Sequence, residues 1–384
     1  MAPKTMRAWR VVHTWSSLVC TVFLLMLCVT GLPLIFREEV DGLLKREPPY
    51  PSASADAHAS LDRVAAAARA AYPSHHIRTI FTDDGSPQVG VVMTPQPDGD
   101  FKNFHRLYFD ARTGDLRTDE LKDRPGVDVT AFLLTLHANL FAGLPGEIFL
   151  GVMAVVFIVS LASGAVLYAP FMRKLDFGEV RRGGSGRLAW LDLHNFLGVA
   201  ALAWMAVVGA TGVMNAFATP LFGVWQLTEV APILKPYAGK PIASSLASYD
   251  KAVADARARA PGMTFDYLST PGRAFSSPAH YVVWLKGDRT LTSRMLTPVL
   301  VNATTGRVEV KARMPWYLRA LEVSRPLHFG DYGGPLLKLL WGVLDTFAIV
   351  VLGSGVYLWV AKRRWSVRSR DLLSAEADAV GSAA

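Results

Sequence analysis

Four long apolar stretches stand out along the chain: Trp15 to Phe36, Ile148 to Phe171, Phe196 to Phe217 and Pro335 to Val360. Each supplies the roughly 20 apolar residues a helix needs to cross about 30 Å of hydrocarbon, so the pattern predicts four transmembrane helices. Between the first and second stretches the pattern changes. Leu61 to Ala71 is alanine-rich and helical in character, and alternating runs follow at Ile77–Thr82, Gln88–Thr94 and His105–Asp110. Between the third and fourth, a helical Tyr249–Ala260 precedes strand-like runs at Tyr281–Leu285 and Val299–Val301. Both segments read as one helix followed by a small antiparallel sheet. In "YFDARTGDL" and "LVNATTGRVEV", Asp110 and Asn302 are placed to cap turns that Gly114 and Gly306 close with positive φ.

The expected fold class is therefore membrane α-helical, with four transmembrane helices in tandem duplication plus two small α+β outer domains. The boundaries are 1–13 for the N-terminus, 14–36 for the first span, 37–147 for the first outer domain and 148–171 for the second span. A loop at 172–193, a third span at 194–217, a second outer domain at 218–333, a fourth span at 334–361 and a tail at 362–384 complete it. The duplication is visible in the second and fourth spans, where "LHANLFAGLPGEIFLGVMAVVFIVSLASGAVLY" matches "LHFGDYGGPLLKLLWGVLDTFAIVVLGSGVYLW", Gly151 falling on Gly342. Both halves have the same orientation, which implies a pseudo-twofold axis along the membrane normal. "REPPYPSASADA" and "RRGGSGR" are linkers, and the tail after Arg370 lacks apolar periodicity and is expected to be unstructured.

Composition agrees with a membrane protein: 51% of residues are apolar or aromatic and 19% are charged. The net charge is +8, and its placement is informative. Lys4, Arg7 and Arg10 precede the first span; Arg173, Lys174, Arg181, Arg182 and Arg187 lie between the second and third; Lys362, Arg363, Arg364, Arg368 and Arg370 follow the fourth. Positive charge in short segments marks the cytoplasmic side, so both termini are expected inside and the two long segments outside. These are juxtamembrane clusters, which sets aside nucleic acid as a partner and leaves the lipid bilayer. The two cysteines, Cys20 and Cys28, lie in the first span and cannot staple the outer domains. No C-x-x-C-H occurs, which excludes covalent haem attachment of the c type. The apolar run near the N-terminus is too long for a cleaved signal and is expected to stay as an anchor.

Four histidines repeat with the duplication. His13 is followed by Thr30 and Gly31 at 17 and 18 residues, and His194 by Thr211 and Gly212 at the same offsets. His137 is followed by Ser163 and Gly164 at 26 and 27 residues, and His328 by Ser354 and Gly355 likewise. The topology puts His13 with His194 inside and His137 with His328 outside. Two neutral imidazoles, one from each half, suit the two axial positions of a b-type haem, and filling both favours electron transfer over oxygen binding. The helix rise puts Gly31 and Gly212 beside the outer pair, and Gly164 and Gly355 beside the inner pair. Glycines there either pack helices or leave room for a flat macrocycle. Arg10 and Arg187 at the inner site, and Arg325 at the outer site, are candidates for the haem propionates. Asp345, midway along the fourth span, is a functional candidate of unassigned role. His58, His75, His76, His105 and His280 share no repeated pattern and are expected to be ordinary surface or hydrogen-bonding residues.

The "H-x-W" at His13, the "DLHN" before the third span, the two "LH…SG" spans and the two helix–sheet units ending in D/N-A-x-T-G resemble the PepSY-associated transmembrane family over about residues 5–365. Within it, length and four-span layout are most similar to inner-membrane ferric-siderophore reductases of the ferrioxamine B type. The resemblance implies PepSY-like periplasmic domains, two haem b groups and oxidoreductase activity that reduces a periplasmic ferric siderophore, a hydroxamate by type, to release Fe(II). Nothing resembles a dinucleotide-binding fingerprint, so the electron donor is an external cytoplasmic or membrane partner. Two other readings compete. A siderophore transporter would need a polar pathway through the spans, and a non-enzymatic PepSY module that binds or inhibits an exported protein would show no haem absorption.

Overall fold

The computed structural model describes residues 3–44, 58–82, 86–96, 103–123, 128–170, 179, 181, 185–242, 245–272, 276–289 and 292–381. In chain order the elements are α1 (Pro3–Ile35), α2 (Arg37–Leu44), α3 (Leu61–Ala71), β1 (His76–Thr82), β2 (Gln88–Thr94), β3 (His105–Asp110), β4 (Leu116–Asp119), α4 (Val129–Asn139), α5 (Leu144–Tyr168), α6 (Gly186–Ala200), α7 (Leu202–Ala216), α8 (Ala218–Trp225), α9 (Ala231–Leu234), α10 (Tyr249–Ala258), β5 (Met263–Ser269), β6 (His280–Gly287), β7 (Leu296–Asn302), β8 (Val308–Lys311), α11 (Trp316–Phe329) and α12 (Gly334–Gly381). Segments 1–37, 130–217 and 327–384 form a helical unit, and segments 38–129 and 218–326 form a sheet unit.

In the helical unit, α1, α5 and the Gly334–Arg363 part of α12 are each long and apolar enough to cross a bilayer. The third expected span is divided: α6 and α7 meet at Ala201 with a 64° bend, where a single straight helix was expected. The expected 194–217 segment thus straddles the break, and α6 begins eight residues before His194. α1 packs on α5 and α12, α5 on α7, and α12 on α6. Small residues permit the close approaches. A Cβ on Gly151 would stand 3.0 Å from Phe217, and one on Gly342 would stand 3.2 Å from Phe36. Since Phe36 and Phe217 are themselves equivalent in the duplication, the two contacts are the same joint made twice, each between opposite halves.

Two boundaries differ from the expected ones. Residues 130–147 and 327–333 had been assigned to the outer domains but belong to the helical unit. The first of these shifts includes the apolar α4, whose His137 is held by Thr30 of α1. The tail after Arg370 is helical to Gly381 rather than unstructured. Its Leu, Ala and Glu content favours helix even without an apolar stripe.

The sheet unit departs most from expectation. Instead of two separate sheets there is one of eight strands, in the order β4-β3-β2-β1-β5-β6-β7-β8. Each half contributes an antiparallel meander, and the first strands of the two pair at the centre through Thr79–Ser269, Ile80–Leu268 and Phe81–Tyr267. Pairing β1 with β5 gives each strand's exposed row of backbone groups a partner. One core serves both halves: Val64 and Ala68 of α3 and Ala252 and Ala256 of α10 join Ile80, Leu107, Phe109, Leu268, Tyr281 and Leu285. The helices cap each other reciprocally. Asp250 accepts from the Leu61 and Asp62 amides and from the Ser60 hydroxyl. Asp62 in turn accepts from the Tyr249 amide and the Ser248 hydroxyl. Caps of this kind contribute about 0.5–2 kcal/mol each. The predicted turns form as read, with Asp110 accepting from the amides of Arg112 and Thr113, and Asn302 from those of Thr304 and Thr305. Gly114 and Gly306 follow at φ 76° and 70°.

Candidate functional site: two pairs of seated histidines

The four repeated histidines all lie in the helical unit, and each is held the same way. His13 Nδ1 is 3.0 Å from the Ser160 carbonyl and 3.3 Å from the Ser163 hydroxyl. His194 Nδ1 is 3.0 Å from the Val351 carbonyl and 2.9 Å from the Ser354 hydroxyl. His328 Nδ1 is 3.1 Å from the Val208 carbonyl and 3.2 Å from the Thr211 hydroxyl. His137 Nδ1 is 3.0 Å from the Thr30 hydroxyl, and the Leu27 carbonyl lies beside its imidazole. In every seat the carbonyl stands three residues before the hydroxyl residue, and a glycine stands one after it.

The seat determines the tautomer. Each hydroxyl already donates to a backbone carbonyl of its own helix, Thr30 to Met26 at 2.8 Å, Thr211 to Val207 at 2.7 Å, Ser163 to Ser160 at 2.9 Å and Ser354 to Val351 at 2.9 Å. Its proton is thereby engaged, and toward the imidazole it presents oxygen. Carbonyl and hydroxyl are both acceptors, so Nδ1 carries the hydrogen and Nε2 of the neutral ring carries the lone pair. Among the described residues none of the four Nε2 atoms has a hydrogen-bond partner. An imidazole fastened at Nδ1 by a carbonyl, with a basic Nε2, is prepared as a metal ligand.

The glycines make room for the imidazole edge. An added Cβ would lie 3.2 Å from Cε1 of His137 at Gly31, 3.0 Å from that of His13 at Gly164, 3.3 Å from that of His328 at Gly212 and 3.5 Å from that of His194 at Gly355. In each case it is the histidine ring itself that fills the space beside the glycine.

The pairs form between halves. The rings of His137 and His328 lie with centroids 6.3 Å apart and planes at 68°. His194 has His13 as an ionisable neighbour close enough for their charges to interact. Two imidazoles on opposite faces of one iron stand about 2 Å from it through nitrogen, which places the ring centroids about 6 Å apart. Among the described residues no group of three or more His, Cys, Asp or Glu side chains is arranged to hold a metal ion. Paired imidazoles instead suit an iron whose four remaining positions come from a macrocycle.

The arginines are placed unequally. Arg10 and Arg187 are exposed and have no hydrogen-bond or ion-pair partner among the described residues. Arg325 belongs to the sheet unit, where it interacts electrostatically with Glu322 and Tyr267. A further pair escaped the sequence reading: buried Asp192, two residues before His194, takes Arg181 in a bidentate contact at 2.6 and 3.0 Å. That contact anchors the start of α6. The offsets pointed to the four hydroxyl residues, but their role as acceptors for the imidazoles was not legible from them.

Two of the unpatterned histidines, His280 and His105, are buried in the sheet unit. His280 is buried and bonds Ser277 and, at 2.6 Å, Glu309, whose carboxyl also takes Tyr237 and Asn302. These bonds outweigh its burial and hold the Glu309 carboxyl below the usual carboxylate range. His105 is buried against the rings of Tyr72 and His75, and burial lowers its pKa.

The family model described as PepSY-associated TM region matches residues 10–362 of the chain. An uncharacterized protein of Pseudomonas aeruginosa is 27% identical over 261 residues, which cover 62% of this chain and 64% of that relative's length.

Proposed function

The chain belongs to the PepSY-associated transmembrane family, and from that premise we propose that it is a dihaem b membrane reductase that passes electrons outward to a ferric siderophore. His13 and His194 hold the inner haem, and His137 and His328 hold the outer one. The observation that carries this reading is the seat: four imidazoles fastened through Nδ1, each with Nε2 free of hydrogen bonds, and one pair at 6.3 Å between rings. Each haem, when bound, would supply a one-electron iron couple, with the paired imidazoles as the residues that would hold it. The chain's own residues do the rest. The seats orient the imidazoles and keep them neutral, and the apolar bundle excludes water. Arg10 and Arg187 offer cations to the inner propionates.

In this reading the spans lie in the bacterial inner membrane with both termini cytoplasmic, and the sheet unit is periplasmic and PepSY-like. The donor is an external cytoplasmic or membrane reductant. The acceptor is an Fe(III) chelate of the hydroxamate class. Its hard oxygen ligands hold Fe(III) far better than Fe(II), so reduction releases the metal.

The seat is testable apart from the ligands. Thr211→Val keeps shape and removes the acceptor, and Gly212→Leu drives a side chain into His328. Outer-shell partners of this kind are typically worth about 10–100-fold in affinity. Thr211→Val should therefore weaken haem retention by that order, and Gly212→Leu should abolish it at the outer site. Haem titration of the stripped, refilled protein measures both. Wild-type affinity in both variants would remove the seat from the account.

A further inference from the structure

We propose that Asp345, buried within the bundle beside Cys28, is an internal proton-binding site whose occupancy follows that of the outer redox site; the proposal rests on the dihaem reading above. Asp345 lies on α12 within the bundle at 5% exposure, and its Oδ2 has no hydrogen-bond partner among the described residues. The Cys28 thiol, from α1, stands beside the same carboxyl group. One turn along α12, Ala348 belongs to an apolar cluster with Ala201 and Met205, around which Cys28, Phe157, Leu161 and Trp204 pack. A carboxyl group with an unpartnered oxygen, in hydrocarbon-like surroundings, is expensive to keep and is a functional candidate.

The neighbouring elements bring no compensating charge to that depth. α1 has Lys4, Arg7, Arg10 and His13 in its first third and otherwise only Cys20 and Cys28 as ionisable groups. α5 has Glu147 in its first turn and Tyr168 at its end, and α7 has none. α6 has Arg187, Asp192 and His194. On α12 itself the nearest are Lys338, two turns before Asp345, and Tyr357, more than three turns after it. Among the described residues, Cys28 is the ionisable group that acts on Asp345.

The depth is the second half of the argument. Asp345 precedes Ser354, which seats His194, by nine residues, or about 13 Å along α12. Cys28 precedes Thr30, which seats His137, by two residues, or about 3 Å along α1. The acid therefore stands between the two histidine pairs, nearer the outer one. Charges interact strongly in such a medium, and a negative charge arriving nearby favours the neutral acid. One electron from the external reductant enters the outer site, and one proton from water forms an O–H bond at Asp345 Oδ2. When the electron leaves for the acceptor, that O–H bond breaks and the proton returns to water. Cys28 remains a thiol throughout and positions the carboxyl.

The test uses the full-length holoprotein in lipid nanodiscs. Potentiometric titration across neutral pH should show the outer-site midpoint falling as pH rises, with a weaker response at the inner site. Asp345→Asn should abolish the outer slope, Asp345→Glu should keep it, and Cys28→Ala should keep a slope displaced in pH. Reduced-minus-oxidised infrared spectra should contain a carboxylic C=O band that grows on reduction, shifts in heavy water and vanishes in Asp345→Asn. Should that variant fail to fold, the wild-type infrared spectrum decides, and a spectrum without the carboxyl band overturns the proposal. Two haems with an unchanged slope in Asp345→Asn would overturn the proton site and leave the dihaem reading standing. A wild-type protein without haem would overturn both.

Discussion

Replacing His328 with alanine is expected to leave one haem per chain instead of two, and His137→Ala is expected to remove the same one. Loss of either imidazole would open a coordination position on the iron and weaken the protein's hold on it. The remaining imidazole is seated too firmly by Val208 and Thr211, or by Leu27 and Thr30, to compensate by moving. His13→Ala and His194→Ala should each remove the other haem, because their seats on α5 and α12 lie at the other end of the bundle. Haem-to-protein ratios, with redox potentials to identify the survivor, measure the outcome. A shared defect of His13→Ala and His137→Ala would mean that the pairs form within halves, against the 6.3 Å approach of His137 to His328.

The second large effect concerns direction. Along α1, His13 and Thr30 are separated by about 26 Å, so the pairs span most of the hydrocarbon and no moving carrier is required. Dithionite-reduced protein should be reoxidised by a ferric hydroxamate, and a ferrous chelator should capture the product. In His328→Ala this reoxidation should be lost, with the inner haem, once reduced, staying reduced. An undiminished rate in that variant would remove the outer pair from the route, and a wild-type protein inert toward ferric siderophores would remove the acceptor.

How much of this was legible in the sequence depended on whether the signal was local. Apolar runs and helix rise are local, so α1, α5 and α12 could be read directly. The histidine offsets, repeated across the duplication, also placed Gly31 and Gly212 together at one end and Gly164 and Gly355 at the other. What these glycines do could not be read, because the ring each one accommodates comes from another helix. The same reason hid the chemistry of Thr30, Thr211, Ser163 and Ser354: a serine in an apolar helix looks alike whether or not an imidazole leans on it. The merger of two sheets into one required pairing between Ile80 and Leu268, far apart in the chain. β4 and β8 are four residues each, too short for alternation to register, and β5 is interrupted by Asp266. The bend at Ala201 has no proline to announce it, only Gly198 three residues earlier.

The central claim is that the four seated imidazoles hold two haems, and the most direct measurement is haem stoichiometry in the purified, unmodified protein. Pyridine haemochrome analysis should give two b-type haems per polypeptide, both low-spin and both extracted by acid acetone. A single haem would break the assignment of one pair, and a colourless protein would contradict the account as a whole.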